Sequence, residues 1–498
     1  MNVNPITRLD YPDPDVIRVG DTYYMVSTTM HFMPGCEILQ SFDLVHWEHV
    51  TYVYETLDHT DAQQLKSGQN IYGQGMWAAS LRYHEGRFCI CFVANDTRKT
   101  YLYTSEKIDG PWKKQLIEGF YHDGSLLFDE DGRNYIVYGN DEIWITELNE
   151  DLTAPKKDGL HRLLVSDHKN PELGYEGSHI QKINGYYYIF LIHSLRDRWM
   201  RTEACFYSDS LEGEFTGGDV LCDDRGYCGQ GVAQGGIVDT PDGKWYAMLF
   251  QDFGAVGRIP ILLPVTWKDH FPFFGQNGHV PEEIEVHSTR PGYIYQPLVG
   301  SDDFCNGLLP RWQFNHDPDP RYYHLDALRG TYTITTREVC TELTQAVNTL
   351  TQRMSYPSCA AEVTVDASAL KEGDVAGLCA LQSCYAAVGI TKHHGKYEVL
   401  MLDKKEDGIL DMTEGTVVES HQMDFRLEAD FCNMKDEARC YYRVNKGDWL
   451  PIGTVHKLYF KLDHFTGCRF GLFCYAAEET GGSACFRDFK YYDVDEIS

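Results

Sequence analysis

Residues 128–140, FDEDGRNYIVYGN, contain the sequence pattern that decides the fold. An acidic turn around Gly132 precedes an aromatic-rich apolar run, which is typical of a tight β-hairpin. The pattern occurs four more times: RVGDTYYMVST (18–28), RYHEGRFCICFVAND (82–96), KINGYYYIFLIHS (182–194) and DTPDGKWYAMLFQD (239–252). Long amphipathic helical patterns are scarce, so the sequence predicts an all-β protein.

The five copies recur at intervals of 46 to 65 residues. Repeats of roughly this period, each long enough for about four strands, are typical of a β-propeller. Five copies therefore predict a five-bladed β-propeller. Ordinary hairpins in a sandwich remain the alternative, but the recurrence favours the propeller.

The turns also predict which residues face the propeller axis. The strand that enters each hairpin would line the axis, so equivalent positions on the five blades would form one ring. Nine residues before the turn glycines of the last four copies, and eight before Asp21 in the first, the ring would contain Asp13, Trp77, Asp123, Glu176 and Gln234.

Three carboxylates of this ring, Asp13, Asp123 and Glu176, would converge in one pit. Mutual repulsion and partial burial raise the pKa of at least one such group, which leaves a protonated acid beside ionised carboxylates. Such a pair can cleave a glycosidic bond: the protonated carboxyl acts as the acid on the leaving oxygen, and the carboxylate activates water or attacks the sugar. Trp77 would add a flat apolar wall for a sugar ring.

Each of these residues also has a simpler interpretation. Asp13 lies in a Pro-Asp-Pro-Asp turn, where Asp often caps backbone N–H groups. Asp123 and Glu176 each precede Gly and would suit a solvated loop, and Trp77 would suit a core. Clustered carboxylates also suit Ca²⁺, but the chain has no D-x-D-x-D-G loop and a metal would leave Trp77 unexplained. The shared offset favours the catalytic interpretation.

Five segments together resemble glycoside hydrolase family 43, in particular its β-xylosidase and α-L-arabinofuranosidase members. They are NPITRLDYPDPDVIRVGDTYYMVSTT (4–29), GMWAASLRYHEGRF (75–88), YHDGSLLFDEDGRNYIVYG (121–139), YEGSHIQKINGYYYIF (175–190) and GRIPILLPVTWKDHFPFFG (257–275). The resemblance implies a five-bladed propeller that hydrolyses glycosides with inversion of configuration.

The resemblance also assigns roles to individual residues. Asp13 in YPDPD matches the general base, Asp123 in HDGSL the residue that orients the acid and raises its pKa, and Glu176 in EGSH the general acid. Arg258 in GAVGRIP resembles the arginine that reaches the sugar at the cleavage point, and Trp77 the aromatic wall of that subsite. Inversion implies about 6.5–9.5 Å between the carboxyls of base and acid.

Two departures from the family pattern affect cofactor and substrate. Relatives often carry His where Gln234 stands, and that His helps to organise a hydrated calcium on the axis. We therefore expect no required cofactor, with a structural calcium as the open alternative. Met30, in TTMHFMPG, replaces a common Phe beside the sugar, so we expect it to alter substrate preference.

The hairpin pattern is lost after about residue 299, and short alternating strands such as TYTITT (331–336) and KYEVLMLD (396–403) follow. Segment 302–325 resembles the opening of the C-terminal β-sandwich, a concanavalin-like jelly roll, attached to many of these xylosidases. The predicted domains are 1–299, the catalytic propeller, and 300–498, the β-sandwich. In relatives the sandwich closes one end of the pit, which implies exo-cleavage of short xylo- or arabino-oligosaccharides.

Composition excludes several classes of partner. The 498 residues include 44 Lys+Arg against 74 Asp+Glu, a formal charge of −30, which disfavours nucleic acid and anionic membrane.

The beginning MNVNPITRLD has no basic or apolar signal segment, so we expect a cytoplasmic protein. A homo-oligomer is left open. Two functional alternatives remain, an endo-arabinanase and a catalytically dead sugar-binding propeller.

Overall fold

The computed structural model describes residues 2–413 and 415–493, so Met1, Glu414 and residues 494–498 of the predicted domains lie outside the described residues. Within those ranges the chain is almost wholly β-structure, which confirms the predicted class. The helices among the described residues are four single 3₁₀ turns: Lys66–Gly68, Gly254–Val256, Leu343–Gln345 and Cys432–Met434. No helix in these ranges is long and apolar enough to span a membrane.

The N-terminal half forms five four-stranded antiparallel sheets, each built from one continuous stretch of chain. Their innermost strands contact one another in a closed cycle, so the sheets are the blades of a propeller. From the axis outward, the strands are: blade 1, Asp15–Val19, Thr22–Ser27, Gly35–Ser41 and Glu48–Tyr54; blade 2, Met76–His84, Arg87–Ala94, Lys99–Ser105 and Lys113–Ile117; blade 3, Ser125–Phe128, Asn134–Asn140, Glu142–Leu148 and His161–Ser166; blade 4, Glu176–Ile183, Tyr186–Ser194, Arg201–Ser208 and Thr216–Leu221; blade 5, Ala233–Asp239, Trp245–Asp252, Arg258–Lys268 and Phe271–Phe274.

Each repeated hairpin joins the first and second strands of a blade. Second strands such as Arg87–Ala94 and Tyr186–Ser194 are buried along nearly their whole length, because neighbouring blades cover both faces. A strand covered on both faces reads as a continuous apolar run. The turn glycine Gly132 has φ 81° and nothing near its missing Cβ, so it is required by backbone conformation alone.

A buried polar network links the inner strands of blades 1 to 4 on the axis. The Asp15 carboxylate, with no exposed surface, accepts hydrogen bonds from Leu81 N and Arg82 Nη1, both at 2.7 Å, and lies 3.1 Å from His179 Nδ1. The Arg82 guanidinium also donates to Ser125 Oγ at 2.7 Å and to the Ile180 carbonyl at 3.2 Å.

The C-terminal half is a sandwich of two antiparallel sheets. The seven-stranded sheet has the order Tyr323–Asp326, Thr331–Thr335, Ser483–Asp493, Ser358–Asp366, Gln422–Asp430, Glu437–Val444 and Leu450–Lys457. The other has nine strands: Leu410–Met412, Lys396–Lys404, Ala386–His393, Asp374–Leu381, Arg469–Ala476, Leu350–Arg353, Gln313–Asn315 and Phe32–Met33 in order, with Thr416–Val418 also paired to Lys396–Lys404.

The two halves share a sheet and a buried ion pair. Strand Phe32–Met33 leaves blade 1 and pairs with Gln313–Asn315, so a propeller segment forms one edge of the sandwich. Arg353 Nη1 lies 2.8 Å from the Glu37 carboxylate, and both side chains are buried. A short pair of strands, Asn2–Val3 and Glu283–Ile284, joins the two ends of the propeller segment. The boundary at 299/300 stays a prediction; it falls between the last blade strand and the first sandwich strand.

Replacing Arg82 by Leu is expected to destabilise the propeller by about 3–5 kcal/mol, because it leaves the Asp15 carboxylate buried without its cation. The measurement is the free energy of unfolding by urea denaturation. Arg133→Leu is the matched control, since Arg133 pairs with Asp131 at an exposed site and should contribute below about 1 kcal/mol. Equal losses in the two variants would contradict a special role for the axis network.

Candidate active site

All five predicted ring residues lie at one end of the inner strands, where regular pairing begins. Asp13 and Asp123 each stand two residues before the first pair of their strands, whereas Gln234 lies in the register shift between Ala233 and Gly236. Asp13, Asp123 and Gln234 have left-handed φ values of 52°, 47° and 60°. Trp77 and Glu176 also lie at register shifts of their strands, as in β-bulges. Non-glycine residues in left-handed conformations are uncommon and cluster at functional sites.

This geometry explains why Asp13 lies eight residues before Asp21 in its turn, whereas the other ring residues lie nine before their turn glycines. Blades 2 and 4 gain a residue through the bulges at Trp77 and Glu176. In blades 3 and 5 the turn glycine is the fourth of five connecting residues, whereas Asp21 is the second of two, which adds two residues to the count. The inner strand of these two blades ends one residue sooner after the ring position, so the net gain is one. Blade 1 has a two-residue turn and no bulge, so its count is one shorter.

Asp123 and Glu176 are held together on one side of the pit. Glu176 Oε2 accepts a hydrogen bond from Asn140 Nδ2 at 2.8 Å and lies 3.4 Å from His122 Nε2. The same His122 nitrogen lies 3.6 Å from Asp123 Oδ2, which also accepts a hydrogen bond from Gly177 N at 3.0 Å. The imidazole therefore bridges the two carboxyls.

The cluster has strongly altered proton affinities. Burial raises the pKa of Asp123 to about 6; the charge of His122 opposes the rise, and those of Glu176 and Asp13 add to it. Burial alone would lower the pKa of His122, but Asp123 and Glu176 outweigh it and raise that pKa to about 9. At neutral pH this side of the pit therefore holds an imidazolium beside the Asp123 and Glu176 carboxyls.

Asp13 has different surroundings. Its Oδ2 accepts a hydrogen bond from Thr28 Oγ1 at 2.7 Å, and its Oδ1 one from Arg258 Nη1 at 3.0 Å. Its side chain and that of Arg258 are almost completely buried. Both carboxylate oxygens are thus fixed in orientation.

Aromatic rings from both domains enclose the pit. The half-buried Trp77 ring lies 6.0 Å from the His122 ring and 5.6 Å from Phe465, between ring centres. The Arg258 guanidinium lies 4.2 Å from the centre of the Phe465 ring. Phe465 belongs to the sandwich, which confirms that this domain contributes to the wall of the pit.

Asp10 fixes the sandwich loop beside Arg258. One carboxylate oxygen of Asp10 accepts a hydrogen bond from Arg258 N at 2.8 Å, and the other accepts one from Gly467 N, also at 2.8 Å. Because Gly467 is two residues beyond Phe465, a single buried carboxylate positions a group from each domain.

Gln234 and Met30 are also near the pit. The Gln234 side chain packs on the Cα of Gly177, next to Glu176, and its backbone N donates to the buried Glu203 carboxyl at 2.7 Å. Met30 is buried and pairs through two backbone hydrogen bonds of 3.1 Å with Met76, the neighbour of Trp77. The structure thus brings every predicted site residue to this end of the propeller.

Comparison with known proteins gives the family. Residues 3–272 match the model of glycosyl hydrolases family 43, and residues 301–492 match the β-xylosidase C-terminal concanavalin A-like domain. The chain belongs to glycosyl hydrolase family 43. The resemblance deduced from the sequence motifs is therefore confirmed, and this family 43 chain is a glycosidase.

Individual relatives cover nearly all of the family 43 chain. A β-xylosidase of Formosa agariphila is 26% identical over 99% of this chain and 89% of its own length. A non-reducing end α-L-arabinofuranosidase of Bacteroides ovatus is 24% identical over 82% of this chain and 79% of its own length.

Two solved structures extend the comparison. The bifunctional GH43-CE protein of Bacteroides eggerthii has a TM-score of 0.92 at 42% identity; the match covers 99% of this chain but only 63% of that protein. An engineered family 43 enzyme described as having endo-xylanase and exo-arabinofuranosidase activity has a TM-score of 0.87 at 27% identity, with 99% of both chains covered.

The residues on the axis of this family 43 chain do not suit a hydrated calcium. The carboxylate there, Asp15, already accepts hydrogen bonds from Leu81 N and Arg82, and His179 contacts its other oxygen. A calcium ion needs six to eight oxygen ligands, and the Arg82 guanidinium already supplies the local positive charge. We therefore derive no step through a metal, and the expectation of no required cofactor stays a prediction.

His122, Asn140 and Phe465 are site residues that the sequence reasoning missed. His122 directly precedes Asp123, and Asn140 ends the same repeated segment, so their positions in the blade repeat could have indicated them. Phe465 has no such signal, because it lies far along the chain in the other domain. Only the docking of the sandwich brings it to the pit.

Replacing His122 by Asn should move the alkaline limb of the kcat/KM profile to higher pH, by about one unit. The imidazolium lowers the pKa of Asp123, so its removal lets that pKa rise above 6. The Asp123 carboxyl then stays protonated to a higher pH. The pH–rate profile is the measurement. His84→Asn, at the opposite end of the blade 2 inner strand, should leave the profile unchanged, and a limb that stays in place or moves down in the His122 variant would refute the assignment.

Gly177→Ala should lower kcat by about 100-fold. Gly177 has φ 64°, and an added Cβ would lie 2.7 Å from Gln234 Cδ, so both Glu176 and the hydrogen bond to Asp123 would be displaced. Gly185→Ala, in the same blade, is the control: its φ is 85° but nothing lies within 4 Å of the added carbon. Steady-state kinetics on one aryl glycoside compares them, and similar kcat values in the two variants would contradict the packing argument.

Proposed function

We propose that this protein is an exo-acting, inverting glycosidase that releases xylose or arabinose from the ends of xylo- or arabino-oligosaccharides. One observation carries the proposal. A carboxylate held by Arg258 faces the same pit as the Asp123–His122–Glu176 cluster, and aromatic side chains enclose the space. The two sides of the pit thus differ in their hydrogen-bond partners and in their proton affinity.

In this mechanism Asp13 is the general base and Glu176 the general acid. Asp13 accepts a proton from a water molecule as the water oxygen attacks the anomeric carbon. The bond from that carbon to the leaving oxygen breaks, and Glu176 donates its proton to that oxygen. One proton enters Asp13 and one leaves Glu176, so the step balances and the product has the opposite anomeric configuration.

The other members of the cluster orient the acid. The Asp123 carboxyl accepts a hydrogen bond from Gly177 N, next to Glu176, and so fixes the backbone that carries the acid. Asn140 fixes the orientation of the Glu176 carboxyl through its 2.8 Å hydrogen bond. The His122 imidazolium keeps two neighbouring carboxyls from repelling each other, so both can remain buried in one site.

The walls suit a neutral sugar ring. Trp77 and Phe465 provide flat apolar surfaces, and aromatic-lined pockets with few polar groups are the usual setting for small ligands. Trp77 Nε1 and Arg258 Nε are buried and have no hydrogen-bond partner among the described residues, so substrate hydroxyls are natural acceptors for them. Arg258 is already neutralised by Asp13, so the pocket does not call for an anionic substrate.

Enclosure by the sandwich supports exo-cleavage. The Phe465 loop lies beside both Trp77 and Arg258, and a pit covered in this way admits a chain end rather than the middle of a polymer. The names of the relatives, β-xylosidase and α-L-arabinofuranosidase, support pentoses as the released sugars. An endo-arabinanase fits this enclosure poorly, and a dead binding propeller would not need the acid cluster. The cytoplasmic location and the oligomeric state stay predictions.

The test is hydrolysis of aryl β-xyloside and aryl α-L-arabinofuranoside by the purified protein, side by side. We expect turnover of at least one, with Asp13→Asn as the inactive control. Glu176→Gln should lose less activity on these aryl glycosides than on xylobiose, because an aryloxide leaves with little assistance from an acid. Proton NMR of the first-formed sugar should show the anomer opposite to that of the substrate. Absence of turnover on both substrates would end the proposal, and a retained anomer would remove the role given to Asp13.

A further inference from the structure

The connection between the second and third strands of blade 4, residues 195–200, lies at the same end of the propeller as the acid. It follows Ser194, whose backbone N donates to the Leu173 carbonyl at 3.0 Å, while Leu173 N donates to Ser194 Oγ, also at 3.0 Å. Leu173 is three residues before Glu176. Hydrogen bonds therefore fix the start of this connection beside the segment that carries the acid.

Trp199 in this connection is unusually exposed. Its exposed fraction is 44%, and none of the other described tryptophans exceeds about a third. Exposing a large aromatic surface is unfavourable, and exposed apolar surface often marks a binding site. Isolated exposed apolar residues are also common, so exposure alone assigns nothing.

A second contact connects Trp199 to the active site. The Arg201 guanidinium lies 5.1 Å from the centre of the indole ring and 5.5 Å from the Phe250 ring. Arg201 is mostly buried and pairs with Asp252, and its charge interacts with those of Arg258, Glu176 and Asp13. The indole is thus anchored through a cation–π contact to a group that faces the catalytic carboxylates.

The side of the pit from which the leaving group departs is the side on which Trp199 lies. The released sugar lies among Trp77, Phe465 and Arg258, and the leaving oxygen must be within reach of Glu176. The remainder of the substrate extends past Glu176 to the rim of the pit. Blade 4 carries both Glu176 and the 195–200 connection, so Trp199 is at that rim on the side of the acid.

We propose that Trp199 is a stacking platform for the leaving-group sugar, so that the preferred substrate carries a second sugar ring directly after the scissile bond. The proposal rests on the proposed function, because it takes Glu176 as the acid. One face of the indole meets the Arg201 guanidinium, and the other receives the C–H face of the sugar. Binding energy from this ring, which does not react, is available to position the scissile bond.

The test compares substrates with and without a leaving sugar. Trp199→Ala should lower kcat/KM on xylobiose about tenfold, which corresponds to the free energy contributed by one aromatic contact. On β-D-xylosyl fluoride, whose leaving group is a single atom, it should change kcat/KM less than twofold. If the wild-type enzyme acts only on arabinofuranosides, α-1,5-arabinobiose and methyl α-L-arabinofuranoside replace this pair.

Three variants complete the design. Trp199→Phe should recover most of the activity on xylobiose, and Trp199→Leu should behave like the alanine variant if the latter is unstable. Tyr83→Ala, an aromatic residue of similar exposure at the opposite end of blade 2, should change neither substrate. Equal effects of Trp199→Ala on both substrates, including no effect on either, would overturn the platform while the proposed function stands. Absence of wild-type turnover on every substrate would instead refute the proposed function itself.

Discussion

The hydrogen-bonded ion pair of Asp15 and Arg82 on the propeller axis is the interaction on which the rest of the structure depends. Five strands converge there, and the buried polar groups of these strands need hydrogen-bond partners. Asp15 in blade 1 contacts blades 2 and 4, and Arg82 in blade 2 reaches blades 3 and 4. The three carboxylates of the pit lie two or three residues before strand positions of this network, so it also fixes the geometry of the candidate active site.

The active site is completed by a second domain rather than by the propeller alone. Asp10 holds Arg258 and the sandwich loop at once, and the buried pair Glu37–Arg353 fixes the same interface. A buried ion pair across an interface is costly to break, because separation leaves charges without partners. The docking of the two domains is therefore coupled to the shape of the sugar pocket, through Phe465 in particular.

Much of the fold was predictable because the repeat has a simple physical cause. The second strand of each blade is buried on both faces, so it appears as a continuous apolar run after a polar turn, five times. The ring of candidate site residues was predictable from the same repeat, because equivalent positions in a propeller meet at the axis. Asp13 needed one correction to the count, since blade 1 has neither the bulge nor the longer turn found in the other blades.

The sequence by itself determined the all-β class, the five blades, the family and the positions of Asp13, Asp123 and Glu176. These depend on local periodicity and on motifs, which are properties of neighbouring residues. The tertiary structure alone decided that His122 bridges the two carboxyls, that the axis carries an arginine–aspartate pair, that Phe465 contributes to the wall of the pit, and that Arg201 contacts the Trp199 ring. Those facts depend on side-chain directions and on contacts between residues far apart in the chain, which no local pattern encodes.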